Sequence, residues 1–260
     1  MLVDSHCHLD FPEYSATLDA VLARAAEHDV GYLQTICTKI SQFAPILSIA
    51  EKYPQIGCSV GIHPNHVAEE AKVTASEIIA LTEHPKVIGI GETGLDYHYE
   101  YTPHAAQRES FIAHIQAAQA TQLPVIVHTR DADEDTIAIL EEQMKVQSFP
   151  GLIHCFSTGR ALAERAIEMG MYISISGIVT FKKAADLQDA VKALPLTSLL
   201  VETDAPFLAP IPHRGKTNEP GYTQLTARYI AQLKGITYEE VAQVTTDNFF
   251  RLFSKARLAS

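Results

Sequence analysis

The sequence predicts an α/β fold, a TIM-like (β/α)8 barrel built as a single domain. Its 260 residues suit this fold, which typically needs about 250 residues. Short apolar runs alternate with longer amphipathic stretches from start to finish, as in a parallel sheet closed into a barrel. Chain-stopping residues also follow the first three predicted helices, at Gly31, Pro54 and Pro85.

Eight apolar runs are predicted as strands: Leu2–His6, Tyr32–Ile36, Gly57–Gly61, Lys86–Ile90, Val125–His128, Gly151–His154, Met171–Ser174 and Leu199–Val201. The amphipathic stretches between them are predicted as helices: Ser15–His28, Ser41–Tyr53, Ala75–Glu83, Ala105–Thr121, Asp133–Met144, Gly159–Met169 and Phe181–Ala193. From about residue 222 further helices are expected, including Thr237–Thr245 with Thr237 as N-cap. Because the chain contains no repeat or linker, residues 1–260 form one predicted domain.

An open, doubly wound sheet is the alternative architecture for alternating strands and helices. It would normally carry a glycine-rich phosphate loop after its first strand. Here the first strand ends in the sequence HCHLD, which contains no glycine. This observation favours the closed barrel.

Composition and charge narrow the class of protein. Hydrophobic residues make up 47% of the chain, which is enough for a large core. The formal net charge of −11 argues against a broad basic surface that coats duplex nucleic acid. The negative net charge is still compatible with an enzyme that binds one end of a nucleic-acid strand, because bound divalent cations reverse the charge locally.

The N-terminal segment MLVDSHCHLD lacks the basic and apolar regions of a signal peptide. No apolar stretch approaches the roughly 18 residues that a membrane span requires. We therefore expect a cytoplasmic protein without membrane contact, and nothing indicates an obligate protein partner. The four cysteines are scattered without a CxxC pair, which argues against a structural zinc site or a disulfide framework.

Ionisable residues of metal-ligand type follow five of the predicted strands. On its own, an HxH pair fits one buried and one surface histidine as well as it fits two ligands. Barrel enzymes, however, build their sites at this end of the strands, and burying several such groups without partners would be costly. The convergence therefore predicts a metal centre made of His6, His8, Glu92, His128, His154 and Asp204.

Six ligands that share one carboxylate fit two divalent cations better than one. Two neighbouring cations clamp the oxygens of an in-line phosphoryl displacement. Mixed nitrogen and oxygen ligands fit zinc, manganese or magnesium, and the sequence leaves this choice open. The predicted partition gives one ion His6, His8 and Asp204, the other His128 and His154, and both of them a bridging carboxylate from Glu92.

Cys7 and Cys155 each lie beside a predicted ligand, which raises the alternative of thiolate coordination. Successive side chains of a strand point to opposite faces. The alternation turns both thiols away from the metals, so both are predicted to be core cysteines.

A set of short motifs resembles the signatures of the TatD family. The motifs are HCHLD (6–10), GIHP (61–64), GETGLDY (91–97), HTR (128–130), IHCFS (153–157), ETDAP (202–206) and RGKTNEP (214–220). The resemblance spans nearly the whole chain and departs at none of the six predicted ligand positions. TatD proteins are metal-dependent deoxyribonucleases among the amidohydrolase-like barrels. The resemblance therefore implies a TIM-like barrel, divalent metals and hydrolysis of DNA, in some members as a 3′-to-5′ exonuclease.

Three residues are predicted to take part in catalysis. Asp204 is predicted to be the general base as well as a ligand, because a carboxylate beside a cation can orient water and accept its proton. Glu92 is predicted to be the bridge between the cations. His63, in the motif GIHP, is predicted to contact a substrate phosphate or to donate a proton to the leaving oxygen. The alternative role for His63 is a cap on the following loop.

Arginine and aromatic residues are predicted to bind the substrate around this centre. Arg214 and Lys216 lie in the loop after strand eight, where barrels often place phosphate groups, and Arg130 lies in the motif HTR. Ordinary surface charge is the alternative for these three residues. The aromatic segment Tyr97–Tyr101 and Phe156 are candidates for stacking exposed bases, although packing is the alternative role.

Three functions are compatible with these residues. The leading hypothesis is hydrolysis of DNA phosphodiester bonds near a strand end. The second keeps the metals and changes the bond to another ester or amide, such as that of a D-aminoacyl-tRNA. Many amidohydrolases bridge their metals with a carbamylated lysine on strand four, whereas here Glu92 ends that strand and Lys86 lies at its opposite end. The third is a non-enzymatic metal scaffold, which complete ligation without a position for water would support.

Overall fold

Eight parallel strands form the centre of the protein in a computed structural model, which describes residues 1–258. The strands lie side by side in chain order, and every neighbouring pair is parallel. Two backbone hydrogen bonds join the last strand region to the first. The Asp204 N–H donates to the His6 carbonyl at 2.9 Å, and the His8 N–H donates to the Ala205 carbonyl at 2.8 Å. The predicted barrel is confirmed, and the open doubly wound sheet is excluded.

Helices cover the outside of the barrel, one after each of the first seven strands and two after the eighth. The strands are β1 Leu2–Cys7, β2 Val30–Thr35, β3 Ile56–Val60, β4 Val87–Asp96, β5 Val125–Arg130, β6 Gly151–Ile153, β7 Tyr172–Ile175 and β8 Leu199–Val201. The helices are α1 Leu18–Glu27, α2 Phe43–Lys52, α3 Ala75–Leu81, α4 His104–Thr121, α5 Asp133–Val146, α6 Arg160–Glu168, α7 Ala185–Ala193, α8 Thr223–Lys234 and α9 Tyr238–Leu252.

The fourth strand is longer than the sequence pattern predicts. It continues past Ile90 to Asp96, where the apolar alternation has already ended. Gly94 allows this continuation, because its φ is +138° and a Cβ there would lie 2.0 Å from the His128 carbonyl oxygen. The close approach of β4 and β5 therefore places Glu92 and Asp96 on one continuous strand.

Two helix starts show where local signals are and are not sufficient. Helix α7 begins at Ala185 rather than at Phe181, because residues 177–180 form a 3-10 turn and the chain turns again before the helix. Helix α9 begins as predicted. The Thr237 hydroxyl accepts a hydrogen bond from the Glu240 N–H at 3.1 Å, which satisfies one of the free donors of the first turn.

The barrel interior is closed at the N-terminal end of the strands by α9. Phe249 and Phe253 of this helical segment pack, fully buried, against Val3, Ile88, Ile126, Leu152 and Leu200 from inside the barrel. The larger apolar layer lies between the sheet and the surrounding helices. With one end filled, the C-terminal end of the strands is the open one. Over residues 1–258, no helix has the length and apolar character needed to cross a membrane.

Candidate metal centre

The six predicted ligands meet at the open end of the barrel. They come from the ends of β1, β4 and β5 and from the first residues after β1, β6 and β8. Four of them are buried, and the other two are partly exposed. The barrel brings them together because parallel strands end on the same side.

The Glu92 carboxylate lies at the centre of this cluster. Its Oε1 is 2.7 Å from His154 Nε2, 2.9 Å from His128 Nδ1 and 3.5 Å from His63 Nε2. Its Oε2 is 3.3 Å from His6 Nε2. One buried carboxylate therefore faces imidazoles from four different strand ends, as a carboxylate shared by two cations would.

His6 and His8 lie on the other side of the cluster, beside Asp204. The Asp204 Oδ1 is 3.3 Å from His8 Nε2 and 3.6 Å from His6 Nε2. His6 is fully buried, yet neither of its ring nitrogens has a hydrogen-bond partner with good geometry within residues 1–258. A buried imidazole without a partner is costly, and a metal ion would satisfy it.

The donor atoms fall into overlapping sets of metal-binding size. Within one set, the donor atoms all lie within 4.8 Å of one another. Glu92 belongs to two of the sets, and His6 also belongs to two. The sets are His6, His8 and Glu92; His63, Glu92 and His128; and His6, His154 and Glu202.

The protonation states of these groups depend on one another. Burial raises the pKa of Glu92, but the imidazoles of His154 and His63 outweigh it and hold the pKa well below its ordinary range. Burial lowers the pKa of His6, whereas the neighbouring Glu92 and Glu202 raise the pKa of His154 well above its usual value in spite of burial. These directions favour an ionised Glu92 and a protonated His154, and metal binding would displace the proton from the imidazole.

Known proteins are similar to this chain over nearly its whole length. The family model described as TatD related DNase matches residues 3–254. The chain belongs to the TatD family. It is 46% identical over 255 residues to the uncharacterized metal-dependent hydrolase YcfH of Escherichia coli strain K12, covering 97% of this chain and 95% of YcfH. It is 39% identical over 253 residues to the uncharacterized metal-dependent hydrolase YabD of Bacillus subtilis strain 168, covering 97% and 99%.

Solved structures show the same barrel. The crystal structure of YjjV, a TatD homologue from Escherichia coli K12, has a TM-score of 0.91 at 30% identity and covers 97% of this chain and 98% of its own. A phosphotriesterase homology protein from Escherichia coli has a TM-score of 0.63 at 17% identity, which shows a common fold alone. This TatD protein is therefore a metal-dependent hydrolase on a TIM-like barrel.

Two carboxylates of the TatD protein that the sequence pattern did not assign orient the predicted ligands. Asp96 Oδ2 is 3.1 Å from His128 Nε2, so the opposite nitrogen of that ring faces Glu92. Burial opposes ionisation, but the hydrogen bond from His128 lowers the pKa of Asp96 to about 2. Glu202 is fully buried, accepts a hydrogen bond from the Cys155 N–H at 2.7 Å, and lies 3.4 Å from His154 Nδ1. Carboxylates in this position fix the orientation of metal-binding imidazoles.

Both carboxylates carried a signal in the sequence. Glu202 directly follows the apolar run of β8, where the rule that selected the ligands should also have selected it. Asp96 follows Glu92 by four residues, and an unbroken strand would place them on the same face. The prediction that β4 ended at Ile90 concealed this relation.

A cavity of about 800 Å³ lies above the cluster in the TatD protein. His63 and Arg130 line it, as do Glu92, His128 and Asp204. His63 Nδ1 accepts a hydrogen bond from the Asn65 N–H at 3.1 Å, so the proton of the neutral ring is on Nε2, which faces the site. His63 therefore caps its loop, and its Nε2 lies 3.5 Å from the Glu92 carboxylate, while contact with a substrate stays a prediction.

The predicted substrate-binding residues are not all at the cavity. Arg214 is exposed and stacks over the Phe181 ring, with its guanidinium carbon 4.3 Å from the ring centroid, outside the residues that line the cavity. Lys216 is exposed in the same loop. Tyr99 and Tyr101 are exposed and stacked with centroids 5.0 Å apart, and Tyr101 lines the cavity.

One prediction about a residue next to the ligands is wrong, namely the core position of Cys155. Cys155 lines the cavity instead of the core, because its φ of +44° breaks the strand alternation just after β6. Its Sγ lies 3.4 Å from Ser176 Oγ, and burial raises the pKa of the thiol well above its usual value. Phe156 is 1% exposed and packs in the core, so it offers no ring for base stacking. Cys7 is a buried core cysteine, as predicted.

Proposed function

We propose that this TatD protein hydrolyses phosphodiester bonds of DNA, releasing nucleotides from the 3′ end with a dinuclear metal centre. The observation that carries the proposal is the buried Glu92 carboxylate, which faces imidazoles from four strand ends. A shared carboxylate between two groups of ligands is the arrangement used to hold two cations for phosphoryl transfer.

The residues present fit two divalent cations. His6, with both nitrogens buried and lacking a good hydrogen bond within residues 1–258, gives the clearest indication of a missing partner. Divalent cations supply Lewis acidity toward the phosphodiester and lower the pKa of water. In the proposed partition His6, His8 and Asp204 would hold one cation, His128 and His154 would hold the other, and Glu92 would be a ligand shared by both.

The side chains around the centre divide the remaining work. Burial raises the pKa of Asp204, but the hydrogen bond with His8 and the charges of nearby imidazoles outweigh it and lower the pKa. The Asp204 carboxylate is thus ionised and accepts the proton of the attacking water. Burial lowers the pKa of His63 to about 3, so the ring is neutral and donates a hydrogen bond from Nε2 to a phosphate oxygen or to the leaving oxygen, which takes its proton from water. Arg130 binds a flanking phosphate at the cavity rim, and Arg214 contacts a longer strand that continues beyond the cavity.

Hydrolysis of labelled single-stranded DNA tests this function. The purified protein is stripped with a chelator, reloaded with Mn²⁺ or Mg²⁺, and given oligonucleotides labelled at the 5′ or the 3′ end. We expect metal-dependent release of mononucleotides from the 3′ end, and loss of at least 100-fold in rate with Asp204→Asn. The matched control is Asp189→Asn, because Asp189 lies on exposed α7 with a side chain that is 77% exposed.

Two results would contradict the proposal. The proposed role of Asp204 is wrong if Asp204→Asn releases mononucleotides as fast as the wild type. The proposed substrate is wrong if the metal-loaded protein leaves DNA intact and instead hydrolyses the ester of a D-aminoacyl-tRNA in a parallel reaction.

A further inference from the structure

Two phenylalanines stand beside the candidate metal centre without a role so far. Phe11 follows β1 and Phe207 follows β8, and both line the cavity. Their ring centroids are 5.5 Å apart with the planes at 88°. The centroids lie 5.2 Å and 6.2 Å, respectively, from the centroid of the predicted ligand His8. We call this pair the aromatic platform.

Phe207 is exposed although its backbone is firmly held. Its side chain is 47% exposed, while its carbonyl accepts a hydrogen bond from Asn218 Nδ2 at 2.6 Å. The same amide donates to the Thr203 carbonyl at 2.9 Å, and the Tyr14 hydroxyl donates to the Asn218 carbonyl at 2.6 Å. The loop that carries Phe207 is thus held against Thr203, just after β8, and, through Tyr14, against the segment after β1. A large apolar ring that projects from an anchored backbone and lines an open cavity is suited to binding a ligand.

The opposite wall of the cavity has different chemistry. In a ring of eight strands, β4 and β5 lie across the barrel from β8 and β1. From the β4 and β5 side, Tyr101 and Arg130 reach the cavity, and the Arg130 guanidinium carbon lies 5.0 Å from the Tyr99 ring centroid. That wall offers a cation to a phosphate, whereas Phe11 and Phe207 offer apolar rings.

We propose that the aromatic platform binds one nucleobase by stacking, next to the phosphate that occupies the metal centre. Its ligand is a nucleotide whose flat base lies on the exposed Phe207 ring, with Phe11 as the edge-on support. Stacking on an aromatic ring tolerates any base because each has a π-face. The choice of a nucleotide as the ligand rests on the proposed function. The proposal predicts that the protein binds the terminal base of a strand whatever its identity and does not select a base sequence.

Binding of a mononucleotide tests the platform without any hydrolysis of DNA. The Mn²⁺-loaded protein is titrated by calorimetry with deoxyadenosine 5′-monophosphate and with 2-deoxyribose 5-phosphate, which lacks the base. We expect the wild type to bind the nucleotide about ten-fold more tightly than the sugar phosphate. In Phe207→Ala this ratio should fall to about two-fold or less, while the affinity for the sugar phosphate is unchanged.

Two control variants separate stacking from a general loss of structure. Phe207→Tyr keeps a ring and should keep the ten-fold ratio. Ile211→Ala removes another exposed apolar side chain, 44% exposed and outside the cavity lining, and should also keep it. Thermal unfolding of each variant checks that the fold is retained.

The outcomes distinguish the platform from the proposed function. Equal affinity of the wild type for the two ligands, or an equal weakening of both in Phe207→Ala, would overturn the platform even if DNA is hydrolysed. A ten-fold preference for the nucleotide that disappears in Phe207→Ala would support the aromatic platform even if no DNA is cleaved. In that case only the proposed hydrolysis of DNA would be wrong.

Discussion

Acidification should weaken the fold through His114, a buried histidine that lies outside the cavity lining and has no role in the proposed chemistry. His114 is fully buried on α4. Its Nε2 accepts a hydrogen bond from the Ile62 N–H at 3.1 Å, and its Nδ1 lies 2.7 Å from the Ser110 carbonyl, to which it donates. A second proton would place an N–H donor against the Ile62 N–H. Burial accordingly lowers the pKa of His114 to about 4.

The size of the effect follows from proton linkage. The folded pKa lies below the ordinary value of 6.5, so the unfolded chain binds the proton first as the pH falls. The stabilisation is therefore fully present above pH 6.5 and is lost as the pH falls toward 4. Integration between the two pKa values gives a total of about 3 kcal/mol, of which about 2 kcal/mol is lost by pH 5.

Urea unfolding at pH 7.5 and pH 5, for the wild type and His114→Gln, measures this contribution. Both proteins should lose stability on acidification, because other groups also titrate. The difference in unfolding free energy between them should shrink by about 2 kcal/mol at the lower pH, since the variant lacks the titrating ring. A difference that stays constant between the two pH values would refute the assignment of a neutral, hydrogen-bonded His114.

Two further predictions concern side chains that act on backbone or ligand geometry. Asp96→Asn should weaken Mn²⁺ binding about 10- to 100-fold in calorimetric titration, because His128 loses its ionised partner. The control is Asp131→Asn, at an exposed site in the neighbouring loop, which should leave the Mn²⁺ affinity unchanged. Equal Mn²⁺ affinities of Asp96→Asn and the wild type would contradict the role of Asp96. Lys86→Met should lower the unfolding free energy by about 1–3 kcal/mol, because the ammonium donates to three backbone carbonyls after α2. The exposed Lys52→Met is its control, and equal losses in urea unfolding would exclude a specific capping effect.

The barrel could be predicted because the pattern of an apolar strand followed by an amphipathic helix repeats along the whole chain. The site depends on single backbone conformations and side-chain contacts, which leave no repeating pattern in the sequence. The alternation of side chains along a strand correctly predicts that Cys7 lies in the core, because β1 extends to that residue. The same rule gives the wrong direction for Cys155, because a positive φ there ends the regular strand geometry. Asp96 was not predicted because Gly91 and Gly94 interrupt the apolar pattern in the second half of β4. The position of Arg214 depends on stacking against Phe181, a contact between distant loops that no local period encodes.

The closure of the barrel between β1 and the residues after β8 has a consequence for biosynthesis. Translation proceeds at about 5 to 20 residues per second, and His8 and Asp204 are about 200 residues apart, so about 10 to 40 s separate their emergence from the ribosome. During this interval His6 and His8 are present without Asp204, which the proposed partition assigns to the same cation. Under the proposed partition we therefore expect this cation site to be loaded, and hydrolytic activity to appear, only after the residues that follow β8 have closed the ring.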